Sequence, residues 1–276
     1  MRNKLTTPIA ILLIVSAGLA CSMFRRKPAL TWRLTLEVES PAGAREAAMK
    51  QTIAVLEDRL NALGISNFEV KPEGDSASGR ILVSLPSVAD PERIKRIITD
   101  GGKLELTHVI SPPSPVPVQT YASKEEAIAA LKSNGTIPTN RQVLPYSERS
   151  EPSDGQGAKS MKWVVVESPA IVDGSELRTA AAMPSGGAFD EYQIAFTLKQ
   201  SGASRFGAWT AANINEYIGV VLNGQVKSIA FIKGQIFDQG EISGRFTKQS
   251  AQDLALILKS GSLPAPLKIV EERTDK

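Results

Sequence analysis

The sequence predicts an α+β fold built as two bodies, one a single sheet backed by two helices and the other inserted into it. Three observations carry this. Between residues 31 and 110, strand-like and helix-like patterns follow in the order strand-helix-strand-strand-helix-strand. A proline-rich stretch at 111–117 then breaks the pattern. Beyond it a second run of strands and helices ends on one separate strand near the C-terminus.

Residues 31–39 alternate polar and apolar side chains, the period-two signature of a half-buried strand. Met49, Ile53, Leu56, Leu60 and Leu63 recur in steps of four, three, four and three, which sets them on one helical stripe. Gly64 stands where a left-handed C-terminal cap is expected. The stripe reads as core packing rather than as a face for a partner helix. Residues 67–71 and 80–86 are short strands joined by a Gly/Ser turn. Asp90-Pro91-Glu92-Arg93 opens a helix with a capping oxygen, a proline in the first turn and an acid facing the dipole. Ile94, Ile97 and Ile98 supply its buried face, Gly101-Gly102 end it, and residues 103–110 return as a strand. This order folds readily as a ferredoxin-like layer, with two helices on one face of the sheet.

Pro112, Pro113, Pro115 and Pro117 continue neither a ladder nor a helix and mark a boundary. A helix is expected over 124–133, a mobile polar loop over 146–159, a strand over 162–167 and a small helix over 173–183. Residues 192–198 alternate as a strand, and 203–213 read as a helix. Asn223-Gly224 lies between two apolar runs, 219–222 and 225–228; both residues tolerate the positive φ of a type I′ turn, so this is a hairpin. Thr247 caps a helix whose stripe is Ala251, Leu254, Ala255 and Leu258, and Gly261 closes it before a final strand at 267–271.

Composition narrows the function. The chain has 276 residues, with 32 Lys and Arg against 29 Asp and Glu, a formal net charge of +3. Removing Arg2 and Lys4 of the N-terminal segment leaves 30 against 29, or +1. A nearly neutral body with 5% aromatic residues offers neither a phosphate footprint nor stacking platforms, so nucleic acid is excluded as a partner. One cysteine, Cys21, forms no internal disulfide or zinc cluster, and one histidine, His108, makes no two-histidine metal site. No phosphate-binding loop is present, and no cofactor, metal or catalytic residue is expected. His108 is open to two readings, a strand residue packed at a sheet edge or the base of a hydrolase with a nearby serine; the strand reading is the plainer. The acid pairs Glu125-Glu126 and Glu271-Glu272 read as solvated charge.

The first 28 residues read as a targeting segment and tether. Met1-Arg2-Asn3-Lys4 is basic, and residues 8–20 are free of charge, short for a membrane span of about 20 residues. Gly18-Leu19-Ala20-Cys21 resembles a bacterial lipoprotein signal, with Cys21 as the lipidated residue. The alternative is an uncleaved signal anchor reaching Phe24 and stopped by Arg25-Arg26-Lys27, which runs against the positive-inside bias. Either one holds the body to a membrane on the extracytoplasmic (periplasmic) side.

Several strings then resemble, in order and spacing, the first periplasmic domain of the SecD family, accessory subunits of the bacterial Sec translocon. They are Val220-Val221-Leu222-Asn223-Gly224-Gln225-Val226, Ile242-Ser243-Gly244-Arg245-Phe246-Thr247 and the stretch 258–267. In the N-terminal half they are Arg59-Leu60-Asn61-Ala62-Leu63-Gly64-Ile65, Ile81-Leu82-Val83-Ser84-Leu85-Pro86 and Asp90-Pro91-Glu92-Arg93. The similarity covers roughly residues 31–273. It departs where the family has a Gly-Gly sequence before the first strand, an Asp at position 223 and a proline after the hairpin. The resemblance implies a base, residues 29–111 plus 263–273, and a head, residues 112–262. It also implies that this chain is cut short before the membrane-helix bundle of a full SecD, and lacks proton-coupling helices of its own.

The function implied is non-enzymatic: a membrane-tethered module that assists Sec-dependent export by binding a translocating preprotein or translocon subunits, SecF or the SecY-type channel. Exposed strand edges or apolar surface on the head, with Phe231 and Tyr192 as probe positions, would take up an extended chain with little sequence preference. An envelope lipoprotein acting as an assembly partner unrelated to export is the alternative.

Overall fold

A computed structural model describes residues 29–75, 78–132, 136–147, 161–186 and 191–275. In chain order the elements are β1 (Trp32–Val38), α1 (Arg45–Ala62), β2 (Glu69–Glu73), β3 (Arg80–Leu85), α2 (Pro91–Thr99), β4 (Leu104–Val109), α3 (Lys124–Leu131), β5 (Arg141–Ser147), β6 (Met161–Glu167), β7 (Val172–Asp173), β8 (Leu177–Pro184), β9 (Tyr192–Leu198), α4 (Gln200–Ala212), β10 (Tyr217–Leu222), β11 (Gln225–Phe231), β12 (Gln239–Phe246), α5 (Lys248–Lys259) and β13 (Leu267–Thr274). Short 3₁₀ turns precede α1 and β8.

The first body is an antiparallel sheet in the order β13-β1-β3-β2. Leu34 and Leu36 of β1 and Ile81, Val83 and Leu85 of β3 face Leu56 and Leu60 of α1 and Ile94 and Ile98 of α2 in one core. The local signals act as the sequence predicts. Gly64 takes φ 77°, and the Ile65 amide donates back to the Leu60 carbonyl, closing α1 with a left-handed cap. Asp90 Oδ1 accepts the Arg93 amide at 2.9 Å at the start of α2.

One strand is not where the sequence order placed it. Residues 104–109 were expected to complete the first sheet; β4 instead pairs with β10 along its whole length, from Leu104↔Leu222 to Val109↔Tyr217. The place beside β1 is filled by β13, which returns after the insertion. Alternation identifies a strand but says nothing of which sheet takes it. Here Leu106 and Val109 face two separate cores, so β4 serves as an internal strand.

The inserted body has two parts. Strands β4, β10, β11, β5 and β6 form a closed ring, joined by the β4–β10, β10–β11 and β5–β6 ladders and by single registered pairs, Val226↔Tyr146 and Val109↔Val166. Val109, Val164, Val166, Tyr217, Val221 and Val226 fill its interior. Leu104, Leu106, Ile218 and Val220 point outward into a second core, shared with the sheet β12-β9-β8 and with α4 and α5.

The helix expected over 173–183 is a two-residue strand, one 3₁₀ turn and β8. Asp173 does cap, accepting the Ser175 amide at 2.8 Å, but only that single turn follows. Ladder pairing with β9 then overrides the helix propensity of Ala180-Ala181-Ala182. Tyr146 and Ser147 belong to β5; the rest of the expected mobile loop lies outside the described residues. So do the targeting segment and Cys21.

Candidate functional site

The chain passes between the two bodies twice, outward at 100–103 and back at 260–266. Arg59 touches both crossings. It is fully buried on the α1 stripe. Its Nη1 donates to the carbonyls of Ile97 at 2.7 Å and Asp100 at 2.6 Å, and its Nη2 to the Gly261 carbonyl at 3.1 Å. The last carbonyls of a helix lack intrahelical donors, and a cation there also meets the negative end of the dipole. Burial lowers the guanidinium pKa from its ordinary value to about 10, opposed by the nearby Asp100 charge, so Arg59 stays protonated at neutral pH.

The tip of the β10–β11 hairpin is a second tie. Asn223 and Gly224 take φ 48° and 75°, the left-handed pair the turn requires. Asn223 Oδ1 accepts the Lys103 amide at 3.0 Å, its own amide donates to the Lys103 carbonyl at 2.9 Å, and its Nδ2 donates to Asp100 Oδ1 at 2.9 Å. The Leu263 amide joins the two crossings by donating to the Gly101 carbonyl at 2.8 Å.

Beside this knot a cleft of about 580 Å³ opens between α2, the hairpin and α5. Ile97, Leu222, Leu254 and Ile257 give it apolar lining, and Arg96 stands exposed beside them. Arg93 of α2 braces it by donating to Asp253 of α5 through Nε at 3.0 Å and Nη2 at 2.8 Å. Its polar lining includes Asp100, Asn223, Lys227, Thr247, Ser250 and Asp253.

His108 sits on β4, an internal strand rather than a sheet edge. Its Nδ1 is 3.1 Å from Glu167 Oε2, its Nε2 is 3.4 Å from Glu216 Oε2, and its ring meets Trp209 edge-on at 5.2 Å. Both nitrogens face carboxylates, those of Glu167 and Glu216, rather than a serine hydroxyl among the described residues. Glu126 helps to close the start of α3: Ser123 Oγ accepts its amide at 3.1 Å and Glu126 Oε2 accepts the Ala122 amide at 3.0 Å. Glu272 is not merely solvated; it accepts Trp32 Nε1 at 2.9 Å and Lys95 Nζ at 3.0 Å.

Of the two probe positions, Tyr192 is half-buried against the second core, while Phe231 is 42% exposed. Val116 (48%) and Ile214 (49%) join Phe231 at the end of β10 opposite the Asn223 turn. The loops carrying them are laced together: the Ser114 amide donates to the Asn215 carbonyl, the Asn215 amide to the Ile232 carbonyl, and Tyr217 Oη to the Val116 carbonyl.

Comparison with known proteins places this geometry. The family described as "Protein translocase subunit SecDF, P1 domain, N-terminal" matches residues 49–111, and that described as "SecDF, P1 head subdomain" matches residues 146–265. The chain belongs to the SecD family. Among SecD relatives, the protein translocase subunit SecD of Koribacter versatilis is 34% identical over 254 residues, which is 91% of this chain and 43% of that protein. The SecD of Aquifex aeolicus is 34% identical over 229 residues, 83% of this chain and 40% of that protein. The chain therefore spans less than half the length of these curated relatives. A crystal structure of SecDF in a super-membrane-facing form superposes with a TM-score of 0.62 at 27% identity, covering 88% of this chain and 30% of that one. A structure reported for SecDF as a membrane component that enhances protein export gives a TM-score of 0.60 at 26% identity, covering 87% of this chain and 98% of that one.

Three of the strings that carried the SecD resemblance meet at the crossings, through Arg59, Asn223 and Gly261. What sequence reasoning missed is their joint role. Arg59 falls at the heptad spacing of Thr52, on the apolar stripe, and a cation in that slot was the signal.

Proposed function

We propose that this SecD-family chain is a membrane-tethered extracytoplasmic module that assists Sec-dependent protein export by holding an unfolded translocating chain on its inserted body. The tether is the N-terminal segment, with Cys21 as lipidation site or the whole segment as a signal anchor, and the translocon partners are SecF and the SecY-type channel. The first body is the base, a ferredoxin-like layer whose fourth strand is β13, and the inserted body is the head. The exposed cluster of Val116, Ile214 and Phe231 carries this reading. It lies five residue steps along β10 from the Asn223 turn, roughly 17 Å from the crossings. Apolar side chains on laced loops offer contact to many sequences, which suits varied clients.

Photocrosslinkers at Phe231 and Ile214, with exposed Glu57 of α1 as control, test it during export of a stalled secretory protein. Adducts to the stalled chain from the two head positions and none from Glu57 are expected. No adduct from either, with the protein folded, overturns it.

A further inference from the structure

We infer that Asn223 sets the angle of the inserted body on the four-stranded layer, and that it does so because an uncharged amide faces Asp100. This positioning role concerns the crossings alone and stands apart from any part in export. Asp100 Oδ1 accepts two hydrogens, the Gly102 amide at 2.8 Å and Asn223 Nδ2 at 2.9 Å. Asn223 accepts the Lys103 amide at the same time, so one side chain grips both ends of the outward crossing. A β-carbon on Gly101 would lie 2.8 Å from Asn223 Oδ1, which shows how closely that crossing is drawn to the amide. Asn223 is the tip of β10 and β11, two strands of the ring, so the direction of the hairpin is the direction of the body.

A carboxylate at position 223 would set a second anion against Asp100 with no donor between them. Two carboxylates at such a distance part or share a proton. Arg59 attracts the Asp100 carboxylate, but its hydrogen bond at this position goes to the Asp100 carbonyl, so its guanidinium does not stand between the two carboxylates. Asn223 also differs from a pure turn residue: glycine there would keep the left-handed conformation and the backbone bond to Lys103 while losing both side-chain hydrogen bonds.

The test is pulsed electron-paramagnetic-resonance distance measurement on the full chain. Cys21 is replaced by serine, and spin labels are placed at exposed Glu57 in α1 and exposed Ala208 in α4. The parent is expected to give one narrow distribution at pH 7 and at about pH 4.5. N223D is expected to broaden it at least about twofold at pH 7 and to recover at about pH 4.5, where the acid pair shares a proton. N223G is expected to broaden it less, and equally at both pH values. A parental distribution for N223D at pH 7, or a broadening that acid does not reverse, overturns the role of charge. If N223D fails to fold by circular dichroism, a parental distribution for N223G overturns the inference.

Discussion

Arg93 of α2 and Asp253 of α5 are joined by two guanidinium donors across the cleft, so the last helix of the inserted body is pinned to the last helix of the first. Gln249 adds a third donor to Asp253 at 2.9 Å. The carboxylate hydrogen bond raises the Arg93 pKa above its ordinary value. The pair is partly exposed, at 30% and 16% for the two side chains, which limits its strength. Arg93→Ala is expected to cost about 1 kcal/mol and to lower Tm by about 2–4 °C. A double-mutant cycle with Asp253→Ala measures the coupling, and a coupling near zero would mean the two helices are held by apolar contact alone.

Arg59 is a different case, because its side chain is fully buried among the carbonyls it serves. Arg59→Met is expected to cost about 3–5 kcal/mol, read by urea unfolding, since it strips a charged side-chain donor from four buried or half-buried carbonyls, those of Ile97, Ile98, Asp100 and Gly261. The pH dependence has a definite sign. The folded pKa of about 10 lies below the ordinary guanidinium value, so between the two the unfolded chain binds more protons and stability rises with pH. Below about pH 10 the contribution is flat. The Met variant should therefore run parallel to the parent from pH 6 to 9, and an offset that changes across about three pH units there would remove this account.

Much of the fold was legible because its signals are local. The stripe of α1, the Asp90 and Thr247 caps, the Gly64 and Gly261 stops and the Asn223-Gly224 turn each depend on neighbours within a few residues, and all formed as the sequence predicts. The misplaced elements depend on distant partners. Leu104-Glu105-Leu106 alternates alike in either sheet, and only the long return of β13 decides that it leaves the first. Ala180-Ala181-Ala182 has no local preference for a strand and becomes one against Tyr192–Leu198. The crossing knot was illegible for the same reason: Arg59 meets Gly261 across 202 residues and Asn223 meets Asp100 across 123.

Acid should unfold the protein through three carboxylates. Lys95 first, then Trp32, hold Glu272 below the ordinary carboxylate range; the Ser175 hydrogen bond does so for Asp173 and the Ser201 hydrogen bond for Glu176. Each folded pKa is below its unfolded value, so their stabilisation is complete above the unfolded value of about 4 and is lost as pH falls through the lower folded ones. In thermal melts from about pH 6 to 2, Glu272→Gln and Asp173→Asn should each flatten the acid limb. An acid limb for both variants that superimposes on the parent's would assign acid lability elsewhere.

Cys21 gives the tether a chemical test. With Cys21 as the lipidated residue, globomycin makes an uncleaved precursor accumulate, and Cys21→Ser leaves the protein unlipidated and misprocessed. Unchanged processing in both experiments removes lipidation at Cys21.

Gly102→Ala and Gly224→Ala separate backbone strain from collision. Both residues hold positive φ, 64° and 75°, so an alanine is strained at either. At Gly224 no atom lies within 4 Å of the added carbon, and the loss is expected to be about 1 kcal/mol. At Gly102 the carbon would lie 2.9 Å from Ile257 Cγ2 and 3.0 Å from Arg59 Nη2. Ile257 and Arg59 are buried, so neither has room to yield, and the loss is expected to reach about 2–4 kcal/mol. Urea unfolding of both variants, with and without Arg59→Met, decides whether the collision acts through the guanidinium. Gly102→Ala should cost less when Arg59 is already gone, whereas equal losses in the two backgrounds would put the obstruction on Ile257 alone.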